Sequence, residues 1–250
     1  MTAARDPVSV ILPVSDPSHP VVAEWQKSLH KTGRSDWELI TPPLTSAGYG
    51  AAIRSGLESA RYPLVLLASA DYPYTPVDLE KLLEKIDLPS EVLDPATGEW
   101  AMRKPDVVVG CRTGVPVPGL PRVLGAAYRT FCRIVLGMPL EPLPGWYGFG
   151  EHLRAWFAWV VYGVGLHDPH CGFKLFRRSL LDRFPIQCDG DLIHIELVAK
   201  ATFLTCLMDV VPLTPKPERI PRVRWTSQDR RALFGRPRFW KPQSSLVIGQ

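Results

Sequence analysis

The chain of 250 residues lacks the marks of several protein classes. Its five cysteines are odd in number and form no CxxC pair, which gives no support for a zinc site or a disulfide framework. The first residues, Met1–Pro7, lack the apolar core of a signal peptide, and the uncharged run Ala155–Leu166 is shorter than the ~20 residues that a spanning helix needs. We therefore expect a protein of the reducing cytoplasm, either soluble or bound peripherally at the inner face of a membrane.

Internal repeats are also absent, while the composition suits one sizeable core. Hydrophobic residues make up 46% of the chain and charged residues 22%, so a real core can form, and the length suits one large α/β domain or two small ones. We predict the folded domain over residues 1–215. Residues 216–250 hold nine basic residues against two acidic ones, so this basic C-terminal tail carries +7 in a chain whose total is +4. Such a tail is either solvated or meets an anionic partner such as phosphate or lipid. It contains no recognisable nucleic-acid module, so no nucleic-acid partner is predicted.

Apolar runs and helical spacing alternate along the first half of the chain. The run Val8–Val14 predicts a buried strand, Val21–His30 a helix, and Trp37–Ile40 a second strand parallel to the first. A helix that ends near Arg61 follows. Further strands are predicted from Leu64 and at Asp106–Gly110, with a helix over Pro76–Ile86 and a polar, exposed excursion over 88–104.

Two of these strands end in charged residues. The strand from Leu64 stops just before Asp71, and the strand Asp106–Gly110 is followed by Cys111 and Arg112. The carboxyl edge of such a sheet is where ligands bind, so Asp71 and Arg112 suit an anionic ligand held partly through a metal. The alternatives are that Asp71 caps the next helix and that Arg112 forms a salt bridge with Asp71.

A glycine pair and an aromatic stretch complete the pattern. Gly48 and Gly50 allow a tight turn with backbone close to a neighbouring group, either a ligand or an ordinary helix–sheet contact. An aromatic helical insertion at about 138–166 lies in a membrane interface or packs against the sheet or another subunit. Later, Gly172 begins a turn into a strand on which Lys174 alternates outward, and Glu196 lies in a helix over Asp189–Ala201 before a last strand, Cys206–Leu213.

The ordered motifs resemble family-2 glycosyltransferases, especially the polyprenyl-phosphate branch that includes dolichyl-phosphate mannose synthases. The resemblance covers roughly Val8–Leu213. It rests on the VSVILPV opening, Gly48-x-Gly50-x-Ala52 with Gly56, Ser69-Ala70-Asp71, Val109-Gly110-Cys111-Arg112, the segment from Asp168 to Phe176, and Glu196. What it implies is a GT-A fold: a Rossmann-like, mostly parallel sheet flanked by helices, whose carboxyl edge binds a nucleotide sugar and Mg²⁺ or Mn²⁺.

The resemblance also implies roles for single residues. Asp71 matches the last acid of the metal-binding motif, and Pro13 and Asp16 match the opening loop. Gly48 and Gly50 would shape the nucleotide cleft, Arg112 the phosphate side, and Asp168 and Lys174 the acceptor side, with Glu196 also assigned to ligand binding. The implied reaction moves a sugar to a polyprenyl phosphate or another membrane-side acceptor, where Asp168 is the candidate base for a hydroxyl acceptor.

The chain departs from the family pattern at two points. Ser69 stands where the first metal-binding Asp is usual, and Thr41-Pro42-Pro43 replaces the acidic segment that contacts the nucleotide. A second hypothesis follows from these departures: a catalytically inactive relative that kept the fold as a binding or scaffold protein.

Overall fold

The computed structural model describes residues 6–31, 36–69, 74, 76–93, 98–112, 158, 160–161, 163–164, 166, 168–213 and 227–241. Within them the strands are β1 Val8–Ile11, β2 Trp37–Ile40, β3 Leu64–Leu67, β4 Ser90–Leu93, β5 Trp100–Arg103, β6 Val107–Arg112, β7 Lys174–Arg177 and β8 Met208–Leu213. The helices are α1 Pro20–Lys31, α2 Tyr49–Ser59, α3 Pro76–Asp87, α4 Arg178–Leu181, α5 Ile193–Phe203 and α6 Ser227–Arg230, followed by a π-helical turn at Arg231–Gly235.

A six-stranded sheet forms the centre of the fold. Its order is β2-β1-β3-β7-β6-β8, and β1 pairs parallel with β2 and β3, as β6 does with β8. Only β7, among the described strands of this sheet, runs antiparallel to its neighbours. The fold class predicted from the sequence, a mostly parallel α/β sheet flanked by helices, is confirmed.

Burial explains why the sheet strands could be read from the sequence. All four residues of β1 and of β3 are buried, as expected for strands covered on both faces. The excursion over 88–104 is largely exposed as predicted, but it also contains the hairpin β4–β5, in which Trp100 and Met102 lie open to solvent.

Some predictions concern residues outside the described ranges, and the predicted orientation of Lys174 differs from the structure. Residues 113–157, with most of the aromatic insertion, lie outside the described residues, and so does Asp71. Lys174 does not alternate outward: it is fully buried, because both faces of the sheet are covered at β7, where Leu175 and Phe176 are fully buried as well. Among the described helices, none combines the length and the apolar character needed to cross a bilayer.

Candidate functional site

The predicted site residues gather at one edge of the sheet. Lys174, the first residue of β7, pairs with Leu67 near the end of β3 and with Val109 in β6. Since β7 is antiparallel to both, the segment that precedes it lies at the carboxyl ends of β3 and β6. Ser69 follows β3, and the main chain of Arg112 ends β6 at this same edge. This edge, called the carboxyl edge below, is where α/β sheets of this kind bind ligands.

The segment 168–173 forms a buried turn at the carboxyl edge. The amide of Cys171 donates to the carbonyl of Asp168 at 3.2 Å, and the amide of Gly110 donates to the carbonyl of Phe173 at 2.9 Å. Asp168 is 5% exposed. The ammonium group of Lys174 donates to the carbonyl of Cys171. Asp168 and Lys174, both predicted on the acceptor side, are thus brought together on one short segment.

Tyr74 joins this turn to the loop that follows β3. Its ring stacks on Phe173 with centroids 4.9 Å apart, and its hydroxyl lies 3.2 Å from the sulfur of Cys171. Ser69 and Tyr74 are the described residues on either side of the predicted metal ligand. Asp71 itself lies between them, outside the described residues.

The opening loop supplies an exposed carboxylate after β1. Pro13 is buried, while Asp16 is exposed and its Oδ1 accepts the amide of Ser18 at 2.8 Å. This hydrogen bond to the Ser18 amide lowers the pKa of Asp16 below its ordinary value, so the carboxylate is ionised at neutral pH. A role in ligand binding for Pro13 and Asp16 stays a prediction.

The glycine pair makes a close backbone contact, as predicted, and the neighbour is the chain itself. A Cβ at Gly48 would lie 2.3 Å from the carbonyl oxygen of Asp189, and one at Gly50 would lie 2.2 Å from that of Cys188. Gly48 also has a φ of +100°, which favours glycine. The amide of Gly50 donates to the carbonyl of Asp189 at 2.6 Å. In the described residues the pair therefore seats the segment Gln187–Gly190, called the 187–190 loop below, against the start of α2.

Glu196 has an internal set of partners. Its two carboxylate oxygens accept the amides of Gln187 at 2.7 Å and Cys188 at 2.8 Å, and Lys200 donates to it at 2.5 Å. The side chains of Glu196 and Lys200 are each 2% exposed. These contacts hold the 187–190 loop, and the ligand-binding role predicted for Glu196 stays a prediction.

Two further charged residues contact this loop and were not found by sequence reasoning. Arg54 donates to the carbonyl of Cys188 at 2.8 Å and forms a salt bridge with Asp189. Asp229 accepts the amides of Asp189 and Gly190. A signal existed for Arg54, which lies four residues after Gly50 and so on the same face of α2. Asp229 is an acid inside a basic segment, and nothing local in the sequence announces its partner.

The described residues do not by themselves form a metal site. No three histidine, cysteine, aspartate or glutamate side chains within the described ranges are grouped so that they could hold an ion. The predicted metal ligand, Asp71, is not among them.

Known proteins with related sequences are glycosyltransferases, although no protein-family model matches the chain. Human dolichyl-phosphate beta-glucosyltransferase is 30% identical over 157 residues, which are 63% of this chain and 39% of that protein. The dolichyl-phosphate beta-glucosyltransferase ALG5D of Trichomonas vaginalis is 32% identical over 136 residues, 53% of this chain and 31% of that protein. Over these segments the chain is similar in sequence to dolichyl-phosphate glucosyltransferases. The resemblance predicted from the ordered motifs is confirmed, and the chain spans less than half the length of these relatives.

Comparison with solved structures gives a match in overall fold at a TM-score of 0.50. A mycobacterial protein has a TM-score of 0.50 at 15% identity, over 88% of this chain and 69% of that one. Glucosyl-3-phosphoglycerate synthase from Mycobacterium tuberculosis, solved with UDP, has a TM-score of 0.48 at 17% identity, over 88% of this chain and 74% of that one. The same enzyme has also been solved with Mn²⁺, UDP and glucosyl-3-phosphoglycerate. At 15% identity, the likeness to the mycobacterial protein is one of fold alone.

Proposed function

We propose that this divergent relative of the dolichyl-phosphate glucosyltransferases moves a sugar from a nucleotide-sugar donor to a polyprenyl phosphate. The observation that carries the proposal is the meeting of separate motifs at the carboxyl edge. Ser69, the end of β6 and the turn 168–173 come from distant parts of the chain and share this edge. A glucosyl donor is the first choice, because the curated relatives are named as glucosyltransferases.

The transfer needs little acid–base chemistry when the acceptor is a phosphate. A phosphate oxygen of the acceptor attacks the anomeric carbon, a new carbon–oxygen bond forms, and the nucleoside diphosphate departs with the electrons of the broken bond. The reacting groups are anionic, so cationic side chains at the edge stabilise them. Arg112 is proposed for this role, and Asp71 for binding Mg²⁺ or Mn²⁺. Lys174, buried with its ammonium group on the carbonyl of Cys171, is proposed to support the turn 168–173 on the acceptor side. Gly48 and Gly50 support the cleft through the 187–190 loop.

The proposed acceptor fixes the role of Asp168. A phosphate acceptor is already ionised and needs no base, whereas a hydroxyl acceptor must lose a proton during attack. General-base catalysis contributes roughly 10²- to 10⁴-fold. Asp168→Asn should therefore lower kcat little with polyprenyl phosphate and by about 10²-fold or more with a hydroxyl acceptor, measured in parallel assays of the same protein preparation.

The central test is transfer from UDP-glucose and a panel of other sugar nucleotides to polyprenyl phosphate in the presence of Mn²⁺. Wild type should form lipid-linked sugar, and Asp71→Ala should lose about 10²-fold or more of that activity. Asp78→Ala is the matched control, since Asp78 is a carboxylate of α3 that pairs with the half-exposed Lys81 at 3.3 Å. Equal turnover by wild type and Asp71→Ala would contradict the role of Asp71.

A folded wild type that transfers no sugar from any donor would contradict the proposed function. The alternative of an inactive binding protein is then examined by thermal unfolding with UDP or GDP and Mn²⁺. A ligand that binds the native state raises its Tm, so a shift without turnover would support a binding protein. Contact with a membrane surface, through the basic C-terminal tail, is part of the proposal and is tested by sedimentation with anionic vesicles.

A further inference from the structure

The 187–190 loop is held by charged side chains from three separate elements. Arg54 reaches it from α2 and Glu196 from α5, both within the domain predicted over residues 1–215. The third side chain, Asp229, belongs to α6, which lies in the basic C-terminal tail. The loop thus depends on a segment that sequence composition would set apart as a tail.

The contact of Asp229 with the loop is buried and directional. Its Oδ1 accepts the amide of Asp189 at 3.0 Å and that of Gly190 at 2.9 Å. Asp229 is 0% exposed. A carboxylate in such a place is tolerated only when its hydrogen bonds are made, and the two consecutive amides make them. The contact therefore fixes both partners in one geometry.

Residues 227–241 are called the C-terminal strap below. Beyond Asp229, the strap is anchored along α5. Leu233 is 6% exposed and belongs to the core. The amide of Arg238 donates to the side-chain oxygen of Gln187 at 2.6 Å. The rings of Phe203 and Phe239 lie 4.2 Å apart, at the last residue of α5. The strap therefore extends from the 187–190 loop to the far end of α5.

Hydrogen bonds continue from the loop to the carboxyl edge. The loop carbonyl of Asp189 accepts the amide of Gly50 at 2.6 Å, in the first turn of α2. Tyr49, the first residue of that helix, donates its hydroxyl to the carbonyl of Ala68 at 3.0 Å. Ala68 immediately precedes Ser69. Asp229 is thus linked to the end of β3 by contacts that each have a definite partner.

We propose that Asp229 is a positioning residue for the carboxyl-edge site. Its carboxylate holds the 187–190 loop, and the loop fixes the start of α2 and, through Tyr49, the end of β3. Asp229 touches no reacting group and acts through the loop. The proposal rests on the proposed function for its catalytic consequence, while its structural part stands on the loop alone.

The experiment compares three variants of the full chain. Asp229→Ala removes the acceptor of both amides, and Asp229→Asn keeps an oxygen that can accept them. Leu233→Ala weakens the packing of the strap and leaves the carboxylate of Asp229 in place. Hydrogen exchange at Asp189 and Gly190 should be faster by on the order of 10-fold in Asp229→Ala than in Leu233→Ala, measured at equal distance from each variant's Tm. Asp229→Asn should exchange nearly as slowly as wild type.

Kinetics supply the readout that a general loss of stability would not move. For the folded fraction, Asp229→Ala should lower kcat for sugar transfer by about 10-fold, while Leu233→Ala keeps the wild-type kcat and Asp229→Asn recovers most of it. Unchanged exchange at Asp189 and Gly190 in Asp229→Ala would overturn the proposal. So would a faster-exchanging loop with a kcat equal to that of Leu233→Ala.

The two proposals fail in different ways. A wild type without transfer activity would contradict the proposed function and remove the catalytic part of this inference. The exchange measurement does not depend on activity, so it would still decide whether Asp229 holds the loop.

Discussion

The two ends of α2 are held by the same kind of chemistry in very different surroundings. At its start, the 187–190 loop is gripped by Glu196, which accepts two backbone amides and a lysine. After its end, Glu38 of β2 accepts the amide of Arg61 at 2.7 Å, its guanidinium at 2.9 Å and the hydroxyl of Ser9 at 2.6 Å. Each of these two arrangements, called a carboxylate clamp below, joins a glutamate to a cation and to at least one backbone amide.

Burial separates the two arrangements. Glu196 and Lys200 are sealed, at 2% exposure each, whereas Arg61 is 77% exposed beside a Glu38 that is 12% exposed. A buried charge that loses its partner is left without solvation, whereas an exposed charge is solvated by water. We therefore expect that breaking a carboxylate clamp lowers the free energy of unfolding more when the clamp is shut off from solvent. The start of α2, which supports the proposed site, has the more costly clamp.

Breaking the sealed pair gives the largest expected effect. Lys200→Met leaves the carboxylate of Glu196 buried without its cation, which should lower the free energy of unfolding by about 3–5 kcal/mol. The measurement is urea unfolding followed by circular dichroism. Lys81→Met is the control, because Lys81 is half-exposed and its pair with Asp78 at 3.3 Å should be worth less than about 1 kcal/mol. Equal losses of unfolding free energy in the two variants would contradict the expected dependence on burial.

Steric contact at the start of α2 gives the next effect. Gly50→Ala normally favours a helix, but here the new Cβ would lie 2.2 Å from the carbonyl oxygen of Cys188. The loop or the helix must move, and we expect a loss of about 1–3 kcal/mol in the free energy of unfolding. Gly98→Ala is the control, since nothing lies within 4 Å of its Cβ and only its φ of +70° resists the change. A stabilised Gly50→Ala protein would show that the close contact does not restrain α2.

The sequence predicted the strands and helices better than the contacts at the two ends of α2, for a physical reason. Trp37–Ile40 and the helix from Pro76 follow from local apolar periodicity, which needs no knowledge of distant partners. The antiparallel insertion of β7 between β3 and β6 depends on long-range pairing, which short apolar runs do not encode. Periodicity also cannot show that Lys174 lies on an interior strand.

The sequence predicted the positions of several candidate-site residues better than it predicted their contacts. Motif order brought Asp168, Lys174 and the end of β6 to one edge, as observed. The ligand-binding role of Glu196 stays a prediction, since a motif gives a residue's type and position and not its hydrogen-bond partners. The partners of Glu196 lie nine and eight residues back, at Gln187 and Cys188, and Asp229 meets its partners across forty and thirty-nine residues.

The solvent-exposed clamp of Glu38 and Arg61, after the end of α2, gives the smallest effect and a distinct pH dependence. Glu38→Gln keeps an oxygen acceptor but loses the charge, so the free energy of unfolding should fall by about 1–2 kcal/mol near neutral pH. Partial burial acts to raise the pKa of Glu38. The hydrogen bonds from Ser9 and Arg61 and the charge of Arg61 outweigh it and hold the pKa below the ordinary value of 4.5.

The sign of the pH dependence follows from that direction. Since the folded-state pKa is the lower one, the charge of Glu38 stabilises the fold fully above pH 4.5 and loses this contribution as the pH falls through the folded-state pKa. The difference between wild type and Glu38→Gln should therefore be constant around neutral pH and shrink below pH 4.5. Unfolding curves of both proteins across this range measure it. A difference that grew towards acid pH would mean that the hydrogen bonds of Glu38 do not favour its charged form, and the likeness between the two clamps would fail.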